Sequence, residues 1–286
     1  MMQILFNGLV TGMLVALPAL AVALTFSVLR FANFAIGAMI TAGAYLVYTL
    51  NVVLGLPLLV SGIVGAALAG VLAAAIDLLV FRPLRDRSAV TLMVASMGVS
   101  FILENIVRFI AGNTPVGYDV ALSRPWRWAG LRINVEQVQA LVVCALALLV
   151  VWIIFRRSRL GRAMRAIADN APLAATRGVS RQRVITATWV MSGVLAALSG
   201  TLIGLDATID PQMGWLYALP AFAAAILGGL THPLAAIPGA LVMGVLSEAA
   251  TLVLPSHYRI MVAFVLMSLL LILRPAGLFG TRWLTR

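Results

Sequence analysis

The most informative part of the chain is residues 137–183, QVQALVVCALALLVVWIIFRRSRLGRAMRAIADNAPLAATRGVSRQR. Residues 137–155 carry no charged side chain, and a helix needs about 20 apolar residues to cross the hydrocarbon core of a bilayer. The next segment, 156–183, holds eight arginines against the single acid Asp169, and another uncharged run follows at 184–205. Because arginine-rich loops stay on the cytoplasmic side of membranes, this stretch predicts two membrane helices joined by a cytoplasmic loop.

The composition of the whole chain points the same way. Hydrophobic residues make up 63% of the 286 residues and charged residues 10%, whereas soluble domains average about 45–50% and about 25%. A water-soluble globule is therefore excluded. We predict an all-α integral membrane protein with a single transmembrane domain over residues 1–286, a polytopic bundle of about eight or nine transmembrane segments with broken or re-entrant elements. The other uncharged runs are 1–29, 31–76 (two spans divided near 55–57), 88–107 (interrupted only by Glu104), 211–247, 249–258 and 260–273.

Missing residue types exclude several kinds of chemistry. All 20 basic residues are arginine, so neither a Walker A loop nor a lysine Schiff base can form. One cysteine, Cys144, and two histidines, His232 and His257, are too few for a conventional zinc site. No grouping of serine, histidine and acid suggests a catalytic triad. We therefore expect no catalysis by this chain, and no metal or cofactor bound directly to it.

Arginine clusters also predict the orientation. Residues 82–87, 156–183 and 274–286 contain 14 of the 20 arginines, and the positive-inside rule places all three segments in the cytoplasm. Residues 111–136 form the longest connection on the opposite side. The first apolar run has no basic segment before it, so we expect it to stay in the mature protein. The side of the N-terminus remains open, because it depends on whether residues 3–29 cross fully.

The first part of the arginine-rich loop has the pattern of a short helix. We predict this helix over residues 158–167, with Arg162 and Arg165 three positions apart on one face. Its less polar face consists of Ala163, Ala166 and Ile167.

A second short helix follows in the same loop. Pro172 suits its first turn, and Gly178 is the C′ residue after its end. Ser180 can then cap the next membrane helix. Two interpretations of the loop remain open from the residues alone: a structured element on which a partner could push, or a positive-inside loop with incidental helicity.

Four polar residues interrupt apolar surroundings: Asn33, Glu104, Asn105 and Glu248. An acid within the bilayer is costly and usually faces the protein interior or a cavity. Such residues could line a translocation route, or they could make interhelical hydrogen bonds or lie near the interface. For each residue taken singly the structural interpretation is favoured, because no pairing is visible in the sequence.

A break in the last long apolar run has a different character. Gly228-Gly229 and Thr231-His232-Pro233 interrupt that run at membrane depth, where irregular backbone is tolerated only against protein or a water-filled cavity. We predict a re-entrant or half-helix element, such as transporters use around a substrate route. A plain turn between two tilted helices is the alternative.

Several short motifs occur in a fixed order: FSVLRFANFA at 26–35 before Gly37, FRPLR at 81–85, GRAMRA at 161–166 with Gly178-Val179, LGG at 227–229 leading to IPGA at 237–240, and RPAGLFG at 274–280. The ordered set, which covers nearly the whole chain, resembles the integral-membrane permeases of branched-chain amino acid ABC importers, in the subunit type with a short N-terminus. That family commonly has a histidine and an acid where this chain has Ile36 and Ala38.

The resemblance implies a permease subunit of the bacterial inner membrane that forms the translocation pathway for branched-chain or other hydrophobic amino acids, or for a related small amide or organic acid. It implies as partners a second homologous permease subunit, two cytoplasmic ATPase subunits that hold ATP and Mg, and a periplasmic substrate-binding protein. In that family the loop matching Gly161–Gly178 docks on the ATPase. The coupling residues are then expected to be Gly161, Arg162, Ala163, Arg165, Ala166, Asp169 and Gly178.

The candidates for the translocation pathway come from the polar and glycine positions described above. They are Asn33, Gly37, Glu104, Asn105, Gly228, Gly229 and Glu248. The alternative function is that of a self-sufficient secondary transporter or channel for small solutes, in which the acids Glu104 and Glu248 relay protons.

Overall fold

The structure is a computed structural model that describes residues 2–120, 126–128, 131–252, 255, 258–274 and 277–279. The helices are α1 (Met2–Leu29), α2 (Ala35–Tyr48), α3 (Leu58–Ile76), α4 (Arg82–Leu84), α5 (Ala89–Ala111), α6 (Val135–Arg157), α7 (Arg159–Thr176), α8 (Arg181–Asp206), α9 (Met213–Gly228), α10 (Ala236–Ala249) and α11 (Arg259–Leu273). π-Helical turns at Thr49–Val53 and Asp77–Phe81 extend α2 and α3, and 3-10 turns at Pro233–Ala235 and Ala250–Leu252 flank α10.

Seven helical stretches of the described chain are long and apolar enough to cross a membrane. They are Met2–Leu29, Ala35–Val53, Leu58–Leu84, Ala89–Ala111, Val135–Arg157, Arg181–Asp206 and Pro233–Leu252. The apolar helices α9 and α11 are shorter. This agrees with the predicted all-α bundle of eight or nine segments, and the predicted division near 55–57 is confirmed. One element was not predicted: β1 (Trp126–Trp128) and β2 (Leu131–Ile133) pair as an antiparallel hairpin between α5 and α6.

The first helix lies at the centre of the bundle. It packs against α6, α8, α9 and α10, and residues 14–24 are all buried. A helix that is apolar on every side, as this one is, is suited to such a position because no side of it need face water. By contrast, α5 and α6 leave many apolar side chains exposed, for example Phe109 and Val142, so their outer faces are suited to lipid or another membrane subunit.

Contacts of α1 settle which way it runs. The Ser192 hydroxyl of α8 donates to the Ala21 carbonyl, and the Ser199 hydroxyl donates to the Leu14 carbonyl, both at 3.3 Å. The two helices are therefore antiparallel. Since α8 begins at the arginine-rich loop, α1 ends there, and the Arg30 guanidinium donates to the Ala168 carbonyl of α7. The start of α1 lies at the opposite end of the bundle, which under the positive-inside rule is the outer side.

Candidate functional site

The loop between α6 and α8 is folded into the helix α7, which turns tightly back against the end of α6. Ser158 is the N-cap, and its hydroxyl accepts a 3.0 Å hydrogen bond from the Gly161 amide. A Cβ atom on Gly161 would overlap the Phe155 carbonyl of α6, so this turn requires glycine. Met164 and Ile167 belong to the buried face of α7. The predicted helix over residues 158–167 is confirmed, and it is fixed to the membrane domain.

The two arginines that share one face of this helix make different contacts. The Arg165 guanidinium donates to the Phe155 carbonyl and lies over the Phe155 ring, 5.2 Å from its centre. Arg162 is exposed, and among the described residues its guanidinium reaches only the Arg157 carbonyl, at 3.4 Å. Arg165 therefore anchors α7 to α6, whereas Arg162 is presented to the outside.

The second half of α7 is a separate helical segment, as the sequence predicted. Asn170 has non-helical dihedral angles (φ −153°, ψ 98°), and its side-chain oxygen accepts a 3.0 Å hydrogen bond from the Leu173 amide. Pro172 lies in the first turn, and Gly178 follows with a φ of +80°. The prediction for Ser180 was wrong in part: Ser180 is the N-cap residue of α8, but its side chain makes no capping hydrogen bond.

The exposed surface of α7 combines charge with one apolar side chain. Arg162 and Asp169 are exposed, and Leu173 is 58% exposed. Ala163 and Ala166 are only half-buried. Sequence reasoning did not select Leu173, although an apolar residue directly after Pro172 in a polar loop was a visible signal. Arg162, Asp169 and Leu173 are therefore side chains of α7 that are free for a partner to contact.

A buried ion pair lies close to this loop. The Asp77 carboxylate, with no exposed side-chain surface, accepts 2.5 Å hydrogen bonds through both oxygens from Arg85, which is 12% exposed. Arg85 also donates to the side chain of Gln182, and the Thr186 hydroxyl lies 3.5 Å from Asp77. We call these four residues, Asp77, Arg85, Gln182 and Thr186, the α3–α8 clasp. It ties the inner end of α3 to the first turns of α8.

Two of the seven pathway candidates, Glu104 and Asn105, adjoin each other on α5 but face different surroundings. Glu104 is buried, pairs with Arg108 at 2.6 Å, and accepts a 2.9 Å hydrogen bond from the indole nitrogen of Trp215 on α9. Asn105 is exposed, and its amide donates to the Phe101 carbonyl of its own helix. These contacts favour the structural interpretation for both residues.

Asn33 and Gly37 lie where α1 gives way to α2. Asn33 is fully buried; its side-chain oxygen accepts a hydrogen bond from Ala35, and its amide nitrogen has no partner among the described residues. Gly37 packs against Gly214 and Ala218 of α9. Gly37 and Glu104 therefore both meet the first turns of α9.

The predicted break at Gly228-Gly229 is present between α9 and α10. Gly229 has a φ of +117°, a conformation that other residues rarely adopt. The amides of Leu278 and Phe279 donate to the carbonyls of Leu227 and Gly228, at 2.8 and 3.1 Å. The end of the chain thus satisfies backbone groups that the short helix α9 leaves open, as irregular backbone in a membrane requires. Glu248, the remaining candidate, is buried at the far end of α10 beside Gly8.

A cavity of about 270 Å³ lies between α1, α8, α9 and α10. Most of its wall is apolar, and its polar side chains are Thr11, Asp206, Tyr217 and Ser247. None of the seven predicted pathway residues lines this cavity. Among the described residues no group of three or more His, Cys, Asp or Glu side chains could hold a metal ion.

Comparison with known proteins connects this arrangement to one family. The sequence profile described as "Branched-chain amino acid transport system / permease component" matches residues 4–273. The chain belongs to this family. It is thus a multi-pass ABC importer permease of the bacterial inner membrane, and its relatives are transport proteins rather than enzymes.

Individual relatives cover almost the whole permease. The high-affinity branched-chain amino acid permease proteins LivH of Escherichia coli and BraD of Pseudomonas aeruginosa are each 29% identical, over 98% of this chain and 95% of theirs. Among solved structures, "PsaBC from Streptococcus pneumoniae in complex with Fab" matches with a TM-score of 0.51 and 15% identity, over 96% of this permease and 92% of that chain. At that identity the match shows a shared fold alone.

Proposed function

We propose that this permease forms, with a second homologous permease subunit, the translocation pathway of an importer for branched-chain or other hydrophobic amino acids. Two separate ATPase subunits, which hold ATP and Mg, drive the importer, and a periplasmic binding protein delivers the substrate. The observation that carries this proposal is the anchoring of α7: it is fixed to α6 by Gly161 and Arg165 while Arg162, Asp169 and Leu173 stay exposed.

The contacts of α7 explain how a partner could move the bundle. A push on α7 reaches α6 through Arg165 and the central helix α1 through Arg30. The chain continues directly from α7 into α8, which the α3–α8 clasp ties to α3. Closure of ATPase subunits docked on α7 would therefore shift several packed helices together, which is the kind of rigid-body movement that alternating access requires.

The contacts of Glu104 argue against the alternative of a proton-driven transporter. A relay residue must exchange protons along its route, whereas both oxygens of Glu104 are engaged, one by Arg108 and the other by Trp215.

Attachment of a photoreactive maleimide to α7 tests docking on the ATPase. The only native cysteine, Cys144, is buried, so Leu173→Cys supplies one accessible thiol on α7. We expect benzophenone maleimide at this position to cross-link the permease to the ATPase on illumination of the assembled complex. Asn113→Cys, exposed after α5 at the opposite end of the bundle, is the matched control and should give no such product. Cross-linking from residue 113 and none from residue 173 would refute the proposed docking surface.

A further inference from the structure

The cavity between α1, α8, α9 and α10 has the size of a small solute site. Its volume of about 270 Å³ is just below the range of about 300–1,000 Å³ that is usual for drug-sized ligands, so it suits a smaller solute such as an amino acid. Leu14, Val15 and Met243 supply apolar wall, and the hydroxyls of Thr11 and Ser247 supply hydrogen-bonding groups. This combination of an apolar wall with a few polar groups is typical of small-molecule sites.

The charge in this cavity comes from one side chain. Asp206 is the last residue of α8, and the end of a helix adds partial negative charge at that point. Its carboxylate makes no hydrogen bond or ion pair within the part of the chain that the structure describes. The nearby acid Asp210, by contrast, accepts a 2.7 Å hydrogen bond from the Gln212 amide. Asp206 is exposed, so its carboxylate lies at the open edge of the cavity without a described protein partner. This negative charge favours a cationic group on a solute that enters the cavity.

The cavity also lies at the end of the bundle from which an importer receives its substrate. Asp206 is at the end of α8 remote from the arginine-rich loop, and Thr11 and Leu14 belong to the outer half of α1. Leu216, at the cavity wall, is 55% exposed, so the site is accessible.

We propose that this cavity is a substrate site in which Asp206 binds the ammonium group of a small apolar amino acid. The alkyl side chain packs against Leu14, Val15 and Met243, and the hydroxyls of Thr11 and Ser247 donate to the carboxylate. This assignment rests on the proposed function and adds to it a residue that selects amino acids over uncharged or anionic solutes of the same shape.

Protection of an introduced thiol tests this site without relying on transport. In the assembled complex carrying Leu216→Cys, L-leucine is expected to slow modification by a maleimide in a concentration-dependent way. 4-Methylpentanoate, which has the same carbon skeleton but no ammonium group, should not protect. Leu5→Cys, exposed near the start of α1, should react at the same rate with and without leucine.

Variants of the two acids separate their roles. Asp206→Asn in the Leu216→Cys background should raise the leucine concentration needed for protection by about tenfold or more, because it removes one charge-assisted hydrogen bond. Asp206→Glu should restore most of the protection. Asp210→Asn keeps the acceptor for Gln212 and should leave protection unchanged.

Three results would overturn the assignment: no protection by leucine, equal protection by 4-methylpentanoate, or unchanged protection in Asp206→Asn. The labelling needs no ATP hydrolysis, so it can fail while ATP-driven import by the wild-type complex is intact. Absence of ATP-driven import with normal leucine protection would instead count against the proposed function alone.

Discussion

Replacement of Asp77 by asparagine is expected to destabilise the permease by about 3–5 kcal/mol, the usual effect of removing one partner of a buried ion pair. Asp77 has no exposed side-chain surface, and Arg85 is 12% exposed. Asparagine has nearly the same shape as aspartate but no charge, so the Arg85 guanidinium would remain buried without compensation. The inner ends of α3 and α8 would then separate more easily.

The loss of stability can be measured as a decrease in the melting temperature of the purified permease in detergent. Asp86→Asn is the matched control, because Asp86 is exposed in the same loop and its replacement should change stability by less than about 0.5 kcal/mol. In the double variant Asp77→Asn/Arg85→Met no charge is left buried, so much of the stability should return. Equal melting temperatures for Asp77→Asn and Asp86→Asn would show that the α3–α8 clasp does not stabilise the fold.

Reversal of the charge at Arg162 should have the largest effect on function. Arg162 is exposed on α7, and its one side-chain hydrogen bond within the described part of the chain is a 3.4 Å contact with Arg157. Arg162→Glu should therefore leave folding and membrane insertion intact. Charge reversal turns an attraction between Arg162 and a docked ATPase into a repulsion, and a like-charge pair across an interface costs several kcal/mol. We therefore expect substrate-stimulated ATP hydrolysis by the reconstituted complex to fall by at least about tenfold.

A second arginine provides the control for this experiment. Arg87→Glu makes the same charge change at an exposed position between α4 and α5, on the same predicted side of the membrane but outside α7. It should retain most of the stimulated ATP hydrolysis. If the complex that carries Arg162→Glu hydrolysed ATP and imported substrate at the rates of the wild-type complex, Arg162 would have no role in coupling.

Features set by neighbouring residues could be predicted from the sequence. The division of 31–76 into two spans follows from Gly55 and Pro57, and the structure has a φ of +66° at Gly55 and begins α3 directly after Pro57. The two parts of α7 follow from Pro172 and Gly178 in the same way. In each case a proline fixes φ or a glycine permits a positive φ, so the local sequence sets the backbone and no knowledge of the tertiary fold is needed.

Features that depend on distant residues could not be predicted. Arg85 and Gln182 are 97 positions apart and meet only because α3 packs along α8. The pairing of Glu104 with Trp215 likewise joins two helices, which is why Glu104 looked unpaired in the sequence. The role of Asp206 could not be predicted from the sequence, because an acid at the end of a membrane helix is common. Its place in a cavity depends on three other helices.

The same distinction explains the C-terminal motif RPAGLFG. Its resemblance to the family was visible in the sequence, but its physical role was not. In the structure Leu278 and Phe279 bond to the end of α9. Gly277, with a φ of +80°, lies so close to the backbone of Gly229 that a Cβ atom would come within 2.8 Å of it. The two glycine motifs therefore support each other across 48 positions of sequence.

The central claim is that this permease is a gate moved from outside itself through α7. Uptake of L-leucine by proteoliposomes tests it most directly, with the purified chain alone compared with the complete complex under ATP and under a pH gradient. Uptake is expected only by the complex and only with ATP. Uptake by the chain alone, driven by the pH gradient without ATP, would contradict it.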